Sequence, residues 1–278
     1  MKGTILEKIL AAKQLRIDAA KRATDLERLV EQARSVRNSA TAHRFQTALS
    51  DRSRINVIAE FKRASPSKGV INNLIDPAEI ARAYEHGRAA AISVLTEEDF
   101  FAGSLDDLRA VREASNLPIL RKDFIIDEYQ IYESAAAGAD AILLIVSALT
   151  SERILRFRKL AQHLGMDVIV EVHDFLELET AIVIDAKIIG VNNRNLKTFE
   201  VSLDISRELI KHAPRDVVMI AESGLKTRDD LVELGDLGYS GFLIGETLMR
   251  SSEPGSELKK LTTEDTEFTG RFGFTSAQ

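Results

Sequence analysis

From residue 55 onward, short apolar runs recur along the chain, separated by stretches that carry helix punctuation. The runs cover 55–62, 89–96, 118–124, 140–147, 167–173, 188–195, 217–224 and 241–248. Each is rich in Ile, Val, Leu or Ala, the composition of strands buried in a parallel sheet. Their starts are separated by about 27 residues on average, which fits a strand, a loop and a helix in a βαβ unit of about 30 residues. Between the runs, Asp76 precedes Pro77, a helix cap followed by proline at the first helical position, and Gly87 can end that helix. Asp127 with Gln130, Asp174 with Glu177 and, more weakly, Thr227 with Asp230 have capping-box spacing. Gly138, Gly165 and Gly238 stand where helix stops belong.

Eight such units predict a parallel (β/α)₈ barrel of the α/β class. An open doubly wound sheet is the competing arrangement. It is weakened by the lack of a G-x-G-x-x-G turn after any run and by the Lys62-Arg63-Ala64-Ser65-Pro66 ending of the first. Residues 1–54 precede the barrel. Thr4 and Glu7 form a capping box, and Ile5, Leu6, Ile9, Leu10 and Ile17 make a gapped apolar stripe on one helical face. A second helix is expected from Leu26 to Val36. This helical extension is expected to pack against the barrel, where it could also cover the mouth of an active site. The organisation read from the sequence is one barrel domain, with the extension at 1–54, the barrel at 55–262 and a loose polar tail at 263–278.

Composition narrows the class. The 278 residues are 45% hydrophobic and 29% charged, with a net charge of −6. That supports a large core and argues against general nucleic-acid binding, which calls for a basic footprint. With no cysteine, disulfides, thiolate metal sites and cysteine nucleophiles drop out together. No apolar run reaches membrane-spanning length, and the N-terminus alternates charged and apolar residues, unlike a signal peptide. The expected location is the cytoplasm, with no membrane or nucleic-acid partner.

In a barrel, alternate strand residues point inward and chemistry collects at the C-terminal strand ends. Glu60 and Lys62 share a face, as do Leu120, Lys122 and Phe124, and Ile169, Glu171 and His173. Asn192 and Arg194 lie two apart on the sixth strand, Ile220 and Glu222 on the seventh. Unpaired buried charge is costly, so this convergence needs a reason. One reason is an internal ion-pair network. The other is a site for an anionic substrate, in which lysines and glutamates tune one another for proton transfer. Ser223-Gly224 after the seventh strand and Gly245-Glu246 at the end of the eighth suit phosphate binding, with Lys62 from the adjoining first strand as countercharge. His173 is read as an ordinary hydrogen-bonded histidine; His43, His86, His163 and His212 are read as surface residues at or near helices. No carboxylate–histidine cluster suggests a metal, and no G-x-x-x-x-G-K-[ST] loop exists.

Several of these stretches together resemble one family. EFKRASPSKG (Glu60 to Gly69), LRKDFIIDEYQI (Leu120 to Ile131), VIVEVHD (Val168 to Asp174), GVNNRNLKTFEVSLD (Gly190 to Asp204) and IAESGL (Ile220 to Leu225) are similar to the signatures of indole-3-glycerol phosphate synthases. The N-terminal ILEKILAAK continues the likeness, which covers nearly the whole chain except about the last twenty residues. The resemblance implies a lyase that closes the ring of 1-(2-carboxyphenylamino)-1-deoxyribulose 5-phosphate, then releases carbon dioxide and water. It needs no cofactor, because the aromatic ring and carbonyl supply the electronics.

Carried over residue by residue, the resemblance makes Lys122 the general acid and Glu171 the group that handles protons in ring closure and dehydration. Glu60 assists dehydration, and Lys62 serves phosphate and proton transfer. Asn192 and Glu222 surround the reacting ring, and Ser65 and Arg194 lie near the substrate carboxylate. Phe124 and Leu243 belong to the ring slot. Ser223, Gly224, Gly245 and Glu246 belong to the phosphate site. Some members carry serine where this chain has Glu246, so only the backbone N–H there can favour phosphate. A monomer or weak oligomer is expected. A Schiff-base aldolase with Lys122 as nucleophile, and a non-catalytic scaffold that kept the fold, remain as rival readings at this level.

Overall fold

The computed structural model describes residues 3–72, 75–196 and 198–263. Eight parallel strands close into a ring: β1 (Val57–Phe61), β2 (Ala91–Leu95), β3 (Ile119–Lys122), β4 (Ala141–Ile145), β5 (Asp167–Val172), β6 (Ile188–Asn192), β7 (Val218–Glu222) and β8 (Gly241–Ile244). Each pairs with its sequence neighbours, and β8 returns to β1 through the pairs Val57–Phe242, Ile58–Leu243 and Ala59–Ile244. That closure excludes the doubly wound sheet, which would leave two open edges.

Every predicted run contains a strand, and every strand is shorter than its run. Lys62, Phe124, His173, Arg194, Ser223 and Gly224 lie just past the strand ends, so Asn192 and Arg194 do not share a strand. At Ser223 (φ 66°) and Gly224 (φ 84°) the backbone turns left-handed, which a ladder cannot continue. Gly245 likewise lies beyond β8 and precedes a short helix, Glu246–Arg250, instead of ending the strand. The apolar composition of the runs carried no signal for these exits.

Strand pleating sorts the core into two shells. Ile58, Leu120, Leu143, Ile169, Ile188, Ile220 and Leu243 point into the barrel, while Ala59, Ile92, Ile119, Ile142, Val170 and Ile189 pack outward against the helices. Two residues further along the same inward face stand Glu60, Lys122, Glu171 and Glu222. The period of the pleat therefore lifts a charged layer directly above an apolar one.

The N-terminal extension forms α1 (Ile5–Ala23), α2 (Leu26–Asn38) and α3 (Arg44–Leu49). The capping box at Thr4 and Glu7 is present, and α2 begins at the expected residue behind an Asp25 cap. The gap in the apolar stripe of α1 is filled by Lys13, buried and paired with Glu98 (2.7 Å) and Asp123 (2.9 Å). Arg37 at the end of α2 donates to the carbonyls of Ala139, Leu164 and Gly165, which pins the extension to the barrel's lower rim. Helix α3 was not foreseen; its Phe45 and Leu49 are fully buried in the inner shell and plug the N-terminal end of the barrel. Around the barrel run α4 (Pro77–His86), α5 (Leu105–Ala114), α6 (Glu128–Ala136), α7 (Ser151–His163), α8 (Phe175–Val183), α9 (Asp204–Leu209), α10 (Arg228–Leu237), α11 (Glu246–Arg250) and α12 (Pro254–Thr262). Asp76, Asp127 and Thr227 cap their helices as their spacing predicts. The tail expected over 263–278 lies, from 264 on, outside the described residues.

Candidate active site

A cavity of about 760 Å³ opens at the C-terminal end of the barrel. Every site residue expected from the sequence lines it: Glu60, Lys62, Ser65, Lys122, Phe124, Glu171, Asn192, Arg194, Glu222, Ser223, Gly224, Leu243, Gly245 and Glu246. Ile5, Leu6 and Ile9 of α1 also reach the wall, so the extension does cover the mouth.

At the floor, the Lys122 Nζ donates to Glu171 Oε2 at 2.8 Å and to Glu222 Oε2. Beside them Lys62 pairs with Glu60. Asn192 Nδ2 donates to Glu171 Oε1 at 3.2 Å, and the Asn192 amide oxygen accepts the Arg194 backbone N–H at 3.0 Å. Two glycines make room for these carboxylates. A Cβ at Gly190 would lie 2.3 Å from Glu222 Oε1, and one at Gly245 would lie 2.2 Å from Glu60 Oε2.

The electrostatics differ sharply between neighbours. Burial opposes the charge of Lys122, but Glu171, Glu222 and Glu60 outweigh it and hold the ammonium well above the usual lysine range. Burial also opposes ionisation of Glu171, yet Lys122 and His173 hold that carboxyl far below its ordinary value. Glu222, buried and near both Glu171 and Glu60, is pushed up to about 7 despite Lys122. A lysine kept protonated in this way is unsuited to Schiff-base attack, which needs a neutral amine. This observation weighs against the aldolase reading.

The remaining walls are apolar or cationic. Phe124 lies near Phe101 with ring centroids 6.2 Å apart and the rings tilted by 37°, and Leu95, Leu143, Ile145 and Leu243 continue the apolar wall. Arg194 lies across the mouth, its guanidinium donating to the Phe199 carbonyl at 3.3 Å. Near the β8 end, the Glu246 carboxylate is occupied by Arg250 (3.2 Å) and Lys68 (3.7 Å). Lys68, Arg250 and Phe101 are cavity residues that were not singled out from the sequence. Lys68 stands within the EFKRASPSKG run, which was the available signal; Arg250 and Phe101 had none, because a helix and a loop bring them in. His173 is not on the cavity wall, but it contacts Glu171 from behind at 3.3 Å. No group of three or more histidine or acidic residues suited to a metal ion occurs among the described residues, and no helix there is long and apolar enough to cross a membrane.

A family model described as indole-3-glycerol phosphate synthase matches residues 6–261. Proteins of that name from Chloroherpeton thalassium, Laribacter hongkongensis and Alkaliphilus metalliredigens are 49%, 46% and 44% identical to the chain. The alignments cover 89%, 92% and 92% of this chain and 95%, 98% and 97% of those relatives. Among solved structures, a mutant tryptophan synthase alpha-subunit from Pyrococcus furiosus superposes with a TM-score of 0.57 at 15% identity, covering 74% of this chain and 97% of that one. Thiamine phosphate pyrophosphorylase from the same organism gives 0.55 at 14%, covering 74% and 93%. At such identity these two speak for the barrel alone.

Proposed function

Since the chain belongs to the indole-3-glycerol phosphate synthase family, we propose how its own strand-end side chains divide the ring closure, decarboxylation and dehydration of 1-(2-carboxyphenylamino)-1-deoxyribulose 5-phosphate. The observation that carries the assignment is Lys122, an ammonium held between two carboxylates at the foot of an apolar slot. The aromatic ring enters the slot beside Phe124 and Leu243. The phosphate lies toward Ser223, Gly224, Gly245 and the backbone of Glu246, with Lys62 as countercharge. Occupation of the Glu246 carboxylate by Lys68 and Arg250 supports this, because it lessens the repulsion that a bare carboxylate would exert. Ser65 and Arg194 take the substrate carboxylate, for which a guanidinium fork is well shaped.

As the ring carbon attacks the substrate carbonyl, Lys122 gives its proton to the developing oxyanion. Carbon dioxide then leaves, and the electrons of the broken bond restore the aromatic ring. In dehydration the hydroxyl departs as water with a second proton, while Glu171 accepts the proton released from the carbon skeleton and Glu60 assists. The carboxylate leaves as a neutral gas, so the overall reaction consumes one proton. A site rich in held protons meets that need. Asn192 orients Glu171, and Glu222 holds Lys122 from the other side.

In this reading the protein acts as a monomer or weak oligomer in the cytoplasm. Incubating the purified protein with the carboxyphenylamino sugar phosphate and following indole fluorescence tests the reading. Formation of indole-3-glycerol phosphate is expected, and its absence with intact protein would defeat it.

A further inference from the structure

Lys122 is shared by two carboxylates, Glu171 and Glu222, and two carboxylates on one ammonium compete for the role of anion. Nothing in that trio alone breaks the tie. Both carboxylates are buried, both belong to the charged layer, and each gives one oxygen to the same Nζ.

Inside the cavity Asn192 donates to Glu171 and Glu60 faces Glu222, and a charged asymmetry is added from behind the cavity wall. His173, one residue past β5, is largely buried. Its Nε2 faces Glu171 Oε1 at 3.3 Å, and its Nδ1 meets Glu177 Oε2 at 3.0 Å. The same Glu177 oxygen accepts the His173 backbone N–H at 2.9 Å. Sequence spacing predicts a reciprocal capping box between Asp174 and Glu177. The structure gives only half of it: Asp174 accepts the Glu177 N–H, while the Glu177 side chain reaches one residue further back to His173. A capping carboxylate is thus diverted to clamp an imidazole. No such clamp reaches Glu222, whose Oε1 is buried without a hydrogen-bond partner; His173 Nε2 also makes no hydrogen bond, so its 3.3 Å approach to Glu171 acts as a charge contact.

We propose that His173, clamped by Glu177, is a positioning residue that selects Glu171 and not Glu222 as the ionised carboxylate beside Lys122. The charged groups around the trio are few. Glu171 faces Lys122 from β3, Glu222 from β7 and His173 at the end of β5, with neutral Asn192 from β6. Glu222 faces Lys122, Glu171 and, from β1, Glu60. His173 faces Glu171 and, from α8, Glu177. One cation therefore lies against one carboxylate and not the other. Burial notwithstanding, the two flanking carboxylates push His173 up to about 10, so it carries its charge at neutral pH. The inference deepens the proposed function, on which its catalytic meaning rests: the base of the reaction is fixed as Glu171, and Glu222 retains a proton near neutrality.

The test pairs a measurement without substrate with one that uses it. Protein carrying 13C at its glutamate carboxyls is titrated by NMR, with Glu171→Gln and Glu222→Gln variants to assign the signals. In the wild type, Glu222 is expected to titrate near pH 7 and Glu171 below the ordinary carboxylate range. His173→Gln, which is uncharged but still able to hydrogen-bond, should raise the Glu171 titration by at least about one unit, a tenfold gain in proton affinity. Glu177→Gln should raise the Glu171 titration by less. In kinetics, the acidic limb of kcat/KM should move up with Glu171, with activity recovering at higher pH and KM little changed. Unmoved titrations in a folded His173→Gln, or a loss of activity equal at every pH, overturn the proposal. If the wild type makes no indole-3-glycerol phosphate, the functional reading falls, and the NMR titration still decides which carboxylate holds the proton.

Discussion

At the scale of single residues, Lys122 bears the heaviest expectation. Replacing it with alanine removes a proton donor that acts as charge develops, so kcat should fall at least about 10²-fold while KM stays within a few-fold. Lys122→Arg should be nearly as poor, because guanidinium scarcely releases its proton. Steady-state kinetics on both variants check this; near-wild-type turnover in either would remove Lys122 from the chemistry. Borohydride with substrate should leave no adduct on Lys122 by mass spectrometry, and a mapped adduct would restore the aldolase mechanism. Lys122, Glu171 and Glu222 were legible because strand pleating is strictly two-residue: an inward Leu120, Ile169 or Ile220 fixes the direction of the residue two further on. Lys68 and Arg250 were not, since no local period links a loop or a five-residue helix to the cavity.

At the scale of elements, α1 shows where apolar patterning misleads. Its stripe has a gap at Lys13 in sequence, yet Lys13 is buried and satisfied by Glu98 and by Asp123, the neighbour of Lys122. A helix face can be completed by charge when the partner element supplies the countercharge, and that partner lies more than 80 residues away. Truncation at Lys13→Ala leaves Asp123 with one cation, Arg121, besides its hydrogen bonds from Thr96 and the Phe124 N–H, and should cost about 3 kcal/mol of stability in urea unfolding, the low end for breaking a buried pair. A loss below about 1 kcal/mol would show that α1 is held by its apolar contacts instead. Asp123 itself is buried, but Arg121 and Lys13 hold it down to about 2. Because the folded value lies below the unfolded one, its stabilisation is complete above about pH 4 and is lost as pH falls toward 2, an effect of about 2 kcal/mol. The stability gap between wild type and Asp123→Asn should shrink across that window; a gap constant with pH contradicts the linkage. The βα alternation and most helix starts were readable, because caps and buried strands are local. Helix α3 was not, because its two anchoring residues, Phe45 and Leu49, make sense only once a barrel exists for them to plug.

For the molecule as a whole, the cavity should behave as one anion-binding unit. Inorganic phosphate is expected to inhibit competitively and to raise the unfolding midpoint, since a ligand at one hundred times its Kd adds about 2.7 kcal/mol. Lys62→Ala should weaken both effects together. Inhibition that survives this change undiminished would separate Lys62 from the phosphate end. The plug below and α1 above leave the strand ends as the way in, so substrate and products compete for a shared opening.

The pairing of β1 with β8 has a consequence in time. Asn56 donates to Ser240 across 184 residues of chain, and the ladder beside it joins Val57 to Phe242. During synthesis at about 5–20 residues per second, β1 waits on the order of ten seconds or more before its second neighbour is made. Throughout that interval the nascent sheet has two raw edges, of the kind that recruit other chains. A ribosome that stops short of residue 241 therefore releases a chain with most of its hydrophobic surface in place and no means of closing it. Such fragments should be found in aggregates, whereas chains that reach Ile244 should partition to the supernatant in a pulse-labelled translation reaction. For this fold the final strand is the one that turns a sticky ribbon into a vessel.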